Sequence, residues 1–220
     1  MTILKRIRLL GENMTSKERR EKGMLFIADE QDWVEMKNVR KLLQTLNNMD
    51  RSDFSGINSL VRELFGRADE STFLNPPFFC DYGSNIFVGK NCFINYNCTI
   101  LDNGRVQLGD NCMLAPNVSI YTAGHALYPD SRNLGYEYGI DVTIGNNVWI
   151  GGNTVILQGI SIGDNVVIGA GSVVTKDIPA WSFAAGNPCR IIRSITEDDK
   201  EFYYKQRKID EEVLREIYGE

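Results

Sequence analysis

A branched aliphatic residue returns at Ile144, Ile150, Ile156, Ile162, Ile168 and Val174, always six positions apart. Neither the 3.6-residue period of a helix nor the alternation of a half-buried strand fits that spacing. A fixed short period marks a repeat architecture. Gly, Asn and Asp recur just after the apolar residue, so the chain reads as short extended segments joined by corners, each sending one side chain into a shared core. Three segments make a triangular coil of 18 residues, because Ile144-Gly-Asn-Asn-Val148 recurs as Ile162-Gly-Asp-Asn-Val166. Stacked coils then set inward residues about 4.8 Å apart, each segment bonded to the ones above and below it.

The same rhythm is present earlier in a looser phase: Val88, Ile94 and Ile100, a two-residue slip within Leu101-Asp102-Asn103-Gly104-Arg105, then Leu108, Leu114 and Ile120. From Ala126 to Thr143 it stops. The inward positions there would be Ala126, Arg132 and Tyr138, which a narrow apolar core does not accept in sequence, so residues 126–143 read as a loop thrown outward. Long loops on rigid scaffolds commonly carry function. Ahead of the coils, Met36, Val39, Leu42, Leu43 and Leu46 predict a helix over Glu35–Leu46, and Ile57, Leu60, Val61, Leu64 and Phe65 a second over Ser55–Phe65. Together they suit a lid on an otherwise open first coil. The charged tail from Thr196 to Tyr218 has the pattern of a helix, with Thr196 and Asp199 as a capping box. The expected organisation is therefore a helical cap over 1–75, with 1–13 an extension or extra helix ahead of Met14, coils over 76–194, and a C-terminal helix over 195–220.

With 24 Lys and Arg against 29 Asp and Glu, the net charge of −5 argues against a nucleic-acid partner. No apolar run is long enough for a membrane span, and the opening Met1–Leu10 lacks the core and cleavage site of a signal peptide, so a cytoplasmic location is expected. Five cysteines without CxxC spacing read as reduced packing thiols. Cys92 and Cys112 follow matching segments and are expected one above the other. No Cys or His cluster suggests a metal.

One histidine is present, His125, at the end of Tyr121-Thr-Ala-Gly-His125, where the last early coil opens into the loop. A lone histidine is normally structural or merely exposed, but an imidazole with its ordinary pKa of about 6.5 suits proton abstraction near neutrality. Around it stand long ordered pieces: Tyr82-Gly-Ser-Asn-Ile86, Asn91 to Asn97, Leu114-Ala-Pro-Asn-Val-Ser-Ile120, Ile144-Gly-Asn-Asn-Val-Trp-Ile150, Ile168-Gly-Ala-Gly-Ser-Val-Val-Thr-Lys-Asp-Ile-Pro179 and Ala184-Ala-Gly-Asn-Pro-Cys-Arg190. As a set they resemble the maltose/galactoside O-acetyltransferase branch of the hexapeptide-repeat acyltransferases over roughly residues 14–203.

That resemblance implies a left-handed parallel β-helix, a homotrimer with sites between subunits, and direct acetyl transfer from acetyl-CoA to a hydroxyl of a saccharide or related acceptor, with no metal. In the family scheme His125 is the general base and Asn95 the oxyanion-side amide, a turn or asparagine-ladder residue being the other reading of Asn95. Gly152 and Ala170 match positions along the pantetheine arm. Thr175, Lys176, Arg190 and Arg193 match its phosphate end, with solvated surface the other reading of Lys176 and Arg193. Trp149 stands near the pantetheine or in subunit packing. The acceptor side departs from the galactoside enzyme: Asp29 falls one step late, Met36 replaces an arginine, Asp81 a serine and Asn103 an aspartate. Asp29, Asp81, Asn95, Asp102 and Asn103 remain the expected acceptor contacts. A xenobiotic or serine O-acetyltransferase, or a non-catalytic scaffold or sugar binder, stays open beside this reading. A zinc carbonic anhydrase of the same fold would need three histidines.

Overall fold

The computed structural model describes residues 14–219; the extension or extra helix expected over 1–13 lies outside them. Residues 73–194 form a parallel β-helix with three faces. The first face stacks Phe73–Leu74, Phe93–Ile94, Met113–Leu114, Trp149–Ile150, Val167–Ile168 and Ser182–Ala185. The second stacks Phe78–Cys80, Cys98–Leu101, Ser119–Tyr121, Val155–Ile156 and Val173–Val174, and the third Ile86–Val88, Val106–Leu108, Val142–Ile144 and Ser161–Ile162. The six residues of the repeat lie inside, none more than 2 % exposed. All five cysteines are buried and free. Cys92 and Cys112 do occupy successive levels, since the residues that follow them pair as Phe93 with Met113, and each thiol donates to a carbonyl one coil below at 3.1 Å.

The corners explain the asparagines. At the corner between the third and first faces, Asn91, Asn111, Asn147 and Asn165 have φ of 53°, 57°, 56° and 58°. Asn tolerates this left-handed turn better than most residues, and its amide can bond locally. The four side chains form a ladder along the axis, Asn91 to Asn111 at 3.3 Å, Asn111 to Asn147 at 3.0 Å and Asn147 to Asn165 at 2.8 Å.

The open first coil is closed by helices α1 (Ser16–Glu21), α2 (Glu30–Asn47) and α3 (Phe54–Leu64). The apolar stripes of α2 and α3 bury Val39, Leu43, Leu46, Ile57, Val61 and Leu64 against the top of the core. At the end of α2 the Asn47 amide donates to the Phe78 carbonyl and accepts from the Phe78 N–H, both at 2.9 Å. One side chain thus supplies the two bonds that a further strand would have given.

Two expectations need correction. The outward loop is shorter than 126–143, because Val142 and Thr143 already belong to a third-face rung, with Val142 buried and paired with Val106. The tail is not one helix. It forms a 3₁₀ turn Glu197–Glu201, a short hairpin of Phe202–Tyr204 with Arg207–Lys208, and only then a helix, Glu211–Tyr218. Asp199 does accept from the Thr196 N–H at 2.9 Å, but the turn it caps goes no further, and the tail buries none of its side chains. Among the described residues no helix is long and apolar enough to cross a membrane.

Replacing Asn147 by Ala should destabilise the fold by about 1–2 kcal/mol through the left-handed backbone alone, and further through the broken ladder. Asn147→Gly should recover the backbone part, a difference that denaturant unfolding of the two variants resolves.

Candidate active site

The corner between the second and third faces is broader in the upper coils than in the lower ones. Inward Ile100 and Leu108 are eight residues apart, whereas Ile156 and Ile162 are six apart. The slip therefore marks a wide corner, and its polar residues hold it together. Asp102, fully buried, accepts from the backbone N–H groups of Asp81 at 3.0 Å, Tyr82 at 2.9 Å and Asn85 at 3.3 Å. On the coil below, the buried Thr122 hydroxyl donates to the Leu101 carbonyl at 2.6 Å and accepts from the Gly104 N–H at 2.8 Å.

The long loop springs from this corner and returns to it. Ala123–Gly124 pairs antiparallel with Tyr138–Gly139, and between them run His125 and helix α4 (Pro129–Asn133). Gly139 seats the return: a Cβ there would lie 2.2 Å from the Gly104 nitrogen. That close seating sets the Tyr136 carbonyl 2.9 Å from Nδ1 of His125. A carbonyl only accepts, so Nδ1 carries the proton and the neutral ring presents the lone pair of Nε2. The ring is exposed.

Asn95 ends a first-face rung at the corner between the first and second faces. Its Oδ1 accepts from the Tyr96 N–H at 2.9 Å and from the Asn75 amide at 3.4 Å, which leaves Nδ2 as the outward donor. Gly152 and Ala170 lie lower on the same edge, linked by the bond from the Gly171 N–H to the Gly152 carbonyl at 2.8 Å. Arg190, exposed, pairs with Ala185 near the foot of that edge. Thr175 and Lys176, also exposed, belong to the opposite edge, below His125. Within one chain the expected residues are thus divided. The second face lies between Asn95 and His125, and its rung Cys98–Leu101 alone spans about 10 Å. Trp149 projects from the first face between Met113 and Val167, half exposed.

Three expected contacts are committed elsewhere. Asp29 is the N-cap of α2, its Oδ1 accepting from the Gln31 and Asp32 N–H groups at 2.8 and 3.1 Å. Asp102 spends its carboxylate on three backbone donors and reaches no surface. Arg193 makes a two-pronged pair with Asp199 at 2.6 and 2.8 Å, which holds that carboxyl down to about 2. Asp81 is half-buried beside Asp102, and burial raises its pKa against the pull of Arg40 and Arg20. The amide of Asn103 donates to Glu137 Oε2 at 2.9 Å.

Glu137 is the residue that sequence reasoning missed. It follows the carbonyl that holds His125, and its backbone bonds both ways with Phe26, at 2.9 and 3.0 Å. The lid thereby pins the loop's return. Burial raises its pKa, while the Asn103 amide and then His125 lower it. Behind it, Arg20 of α1 is 2 % exposed, lies 3.6 Å above the Tyr82 ring, and stands 3.6 Å from Asp32 and 3.5 Å from Glu35. Nothing in the six-residue phase announces these groups.

Burial pushes Asp102 up to about 6 in spite of its three donors. The folded chain then keeps a proton that the unfolded chain releases near its ordinary 3.8, so the contribution of Asp102 to stability falls as pH rises from 3.8 to 6 and is flat above. Asp102→Asn should be less stable than the parent throughout, with the gap widening by up to about 3 kcal/mol as pH falls through that window. Denaturant melts at several pH values measure this.

Residues 141–176 match the family described as bacterial transferase hexapeptide (six repeats), and residues 85–122 the hexapeptide repeat of succinyl-transferase. Galactoside O-acetyltransferase of Escherichia coli K12 is 43 % identical over 203 residues, covering 91 % of this chain and all of the relative. The crystal structure of a maltose O-acetyltransferase from Clostridium difficile 630 is 49 % identical with a TM-score of 0.83, over 84 % of this chain and all of that one. A galactoside acetyltransferase in complex with coenzyme A gives 43 % identity and a TM-score of 0.87, over 90 % of this chain and all of that one. The two solved folds agree with the architecture built up above, the relative matches over its whole length, and the chain belongs to the hexapeptide-repeat acetyltransferases, in the branch that holds the galactoside and maltose O-acetyltransferases.

Proposed function

We propose that this protein transfers the acetyl group of acetyl-CoA to a hydroxyl of a saccharide or a closely related acceptor. The observation that carries the reading is the bond between His125 Nδ1 and the Tyr136 carbonyl, which leaves Nε2 as an exposed base at the mouth of a polar corner. Nε2 takes the proton from the acceptor hydroxyl as its oxygen attacks the thioester carbonyl. The tetrahedral oxyanion is met by the outward amide of Asn95, then collapses with loss of the CoA thiolate, which recovers the proton from the imidazolium. An ester and free CoA result, with no acyl-enzyme.

The coenzyme A complex of the similar galactoside acetyltransferase supports the donor. Small residues Gly152 and Ala170 leave room for a slender arm beside backbone, and exposed Lys176 and Arg190 offer the cations that phosphates require. Arg193 contributes only by giving up Asp199. Because Asn95, Gly152 and Ala170 stand on one edge of the prism and His125, Thr175 and Lys176 on another, the complete site needs two chains, one edge from each. An edge meeting a different edge is a head-to-tail contact, which gives a ring when its rotation closes. We place three copies in that ring. An outward apolar column of Phe73, Phe93, Met113, Trp149, Val167 and Phe183 on the first face is suited to burial there, with Met113 and Trp149 49 % and 51 % exposed in the single chain.

Acetyl-CoA should raise the melting temperature, since a ligand that binds only the folded chain stabilises it, and light scattering should give three times the chain mass. His125→Ala should lower kcat by about 10²–10⁴ with acetyl-CoA stabilisation retained. Full activity in that variant, or no CoA release with any hydroxyl acceptor, overturns the reading.

A further inference from the structure

The acceptor end of this corner is unusually acidic, and its composition narrows the acceptor. A chain of contacts collects the groups: the Asp81 N–H on Asp102 at 3.0 Å, Asn103 next along the chain on Glu137 at 2.9 Å, and Tyr136, beside Glu137, on His125 at 2.9 Å. Two carboxylates here remain open to a ligand. Among the described residues, Glu137 has one oxygen bonded to Asn103 and a second that takes no hydrogen bond, and the Asp81 carboxylate takes none. Neither is in an ion pair among the described residues. Both are half-buried, and each feels the desolvation. Of the two guanidinium groups whose charge Asp81 feels, the stronger, Arg40, is exposed on α2, and Arg20 is held between Asp32 and Glu35 at 3.6 and 3.5 Å, so the charge of Arg20 is already balanced.

Arg20 adds an independent sign that the corner is built for a ligand. It is 2 % exposed, yet its Nε and Nη1 make no hydrogen bond among the described residues, Nη1 having only the 3.6 Å ion pair with Asp32, and its charge is felt by Asp81. Buried donors left without a hydrogen bond are costly. A partner with both cationic donors and hydroxyl oxygens satisfies the whole set: N–H groups for Glu137 and Asp81, oxygens for Arg20. A neutral sugar satisfies it in part. An anionic group placed there would meet two carboxylates, offset only by the exposed Arg40 on the Asp81 side.

Resting on the O-acetyl transfer reading above, we infer that the acceptor is an amino-bearing saccharide, with Glu137 the specificity-determining residue that holds its ammonium beside the hydroxyl addressed by His125. An ammonium gives a carboxylate a charge-assisted bond roughly twice as strong as a neutral one, and the surrounding low-dielectric wall magnifies the difference. The amine is bound as a cation, protonated and non-nucleophilic, so the acetyl goes to oxygen.

The test is kcat/KM at pH 7 for four matched acceptors, in both gluco and galacto configurations: the free amino sugar, its N-acetyl form, the parent hexose, and the N-sulfo form, followed by CoA release and by alkali-lability of the product. The amino sugar should be used best and the N-sulfo sugar least, with an alkali-labile ester as product. Glu137→Gln should cut the ratio of amino sugar to hexose by about tenfold or more, equivalent to at least 1.4 kcal/mol, and Glu137→Asp should restore part of it. Asp81→Asn should move the ratio in the same direction, and thermal stabilisation by acetyl-CoA reports that each variant is folded. An unchanged ratio in folded Glu137→Gln, equal use of the N-sulfo sugar, or an alkali-stable amide as product overturns the inference while leaving acetyl transfer intact. No CoA release with any of the sugars overturns the saccharide reading and the inference together.

Discussion

Everything in this fold depends on one constraint: each rung of the coil finds its backbone partners only in the rungs directly above and below. An isolated two- or three-residue strand has no stability of its own, and here most rungs are that short. Their bonds to the next coil hold only if the corners turn at the same level each time, which is why left-handed asparagines recur in register and stack into a ladder. The top of the stack faces the same demand and meets it with a side chain, the amide of Asn47, and with the apolar faces of α2 and α3.

Strict register has a functional consequence, because it converts positions along the sequence into edges of a prism. Residues one coil apart are vertical neighbours; residues on different corners of one coil are kept apart by a rung. Asn95, Gly152 and Ala170 share an edge for this reason, and His125 cannot join them within its own chain. The relaxed phase of the early coils then takes on meaning. Two extra residues widen the corner between the second and third faces, and Asp102 fills the gained space by bonding three backbone donors. The loop that carries His125 leaves from and returns to this one place, seated by the glycine pair Gly104 and Gly139 and pinned to the lid through Phe26.

The regular part of the coil was legible in the sequence because a single variable, the side chain sent inward every six residues, governs it. The place of the histidine, where the coil opens into the loop, was legible because of where it falls against that rhythm. The acceptor side was not, for physical reasons. Asp29 and Asp102 have the composition of sugar ligands, but one lies at a helix start and the other beneath a turn, and in both positions unpaired backbone N–H groups take the carboxylate first. Arg193 has the composition of a phosphate ligand, but Asp199 six residues later matches its geometry. Glu137 lies where the six-residue period is silent, and only the antiparallel return of the loop brings it to Asn103. The tail misled in the same way: its apolar spacing suits a helix, yet only Glu211–Tyr218 forms one.

The central claim is that neither chain alone holds a complete site. It is tested most directly by mixing two inactive variants, His125→Ala and Asn95→Ala, unfolding and reassembling them together, and measuring acetyl transfer. A site made from the histidine edge of one copy and the asparagine edge of its neighbour predicts that mixed assemblies regain a substantial share of parental activity, because some clefts receive both intact residues. Activity no higher than that of the separately reassembled variants would contradict it.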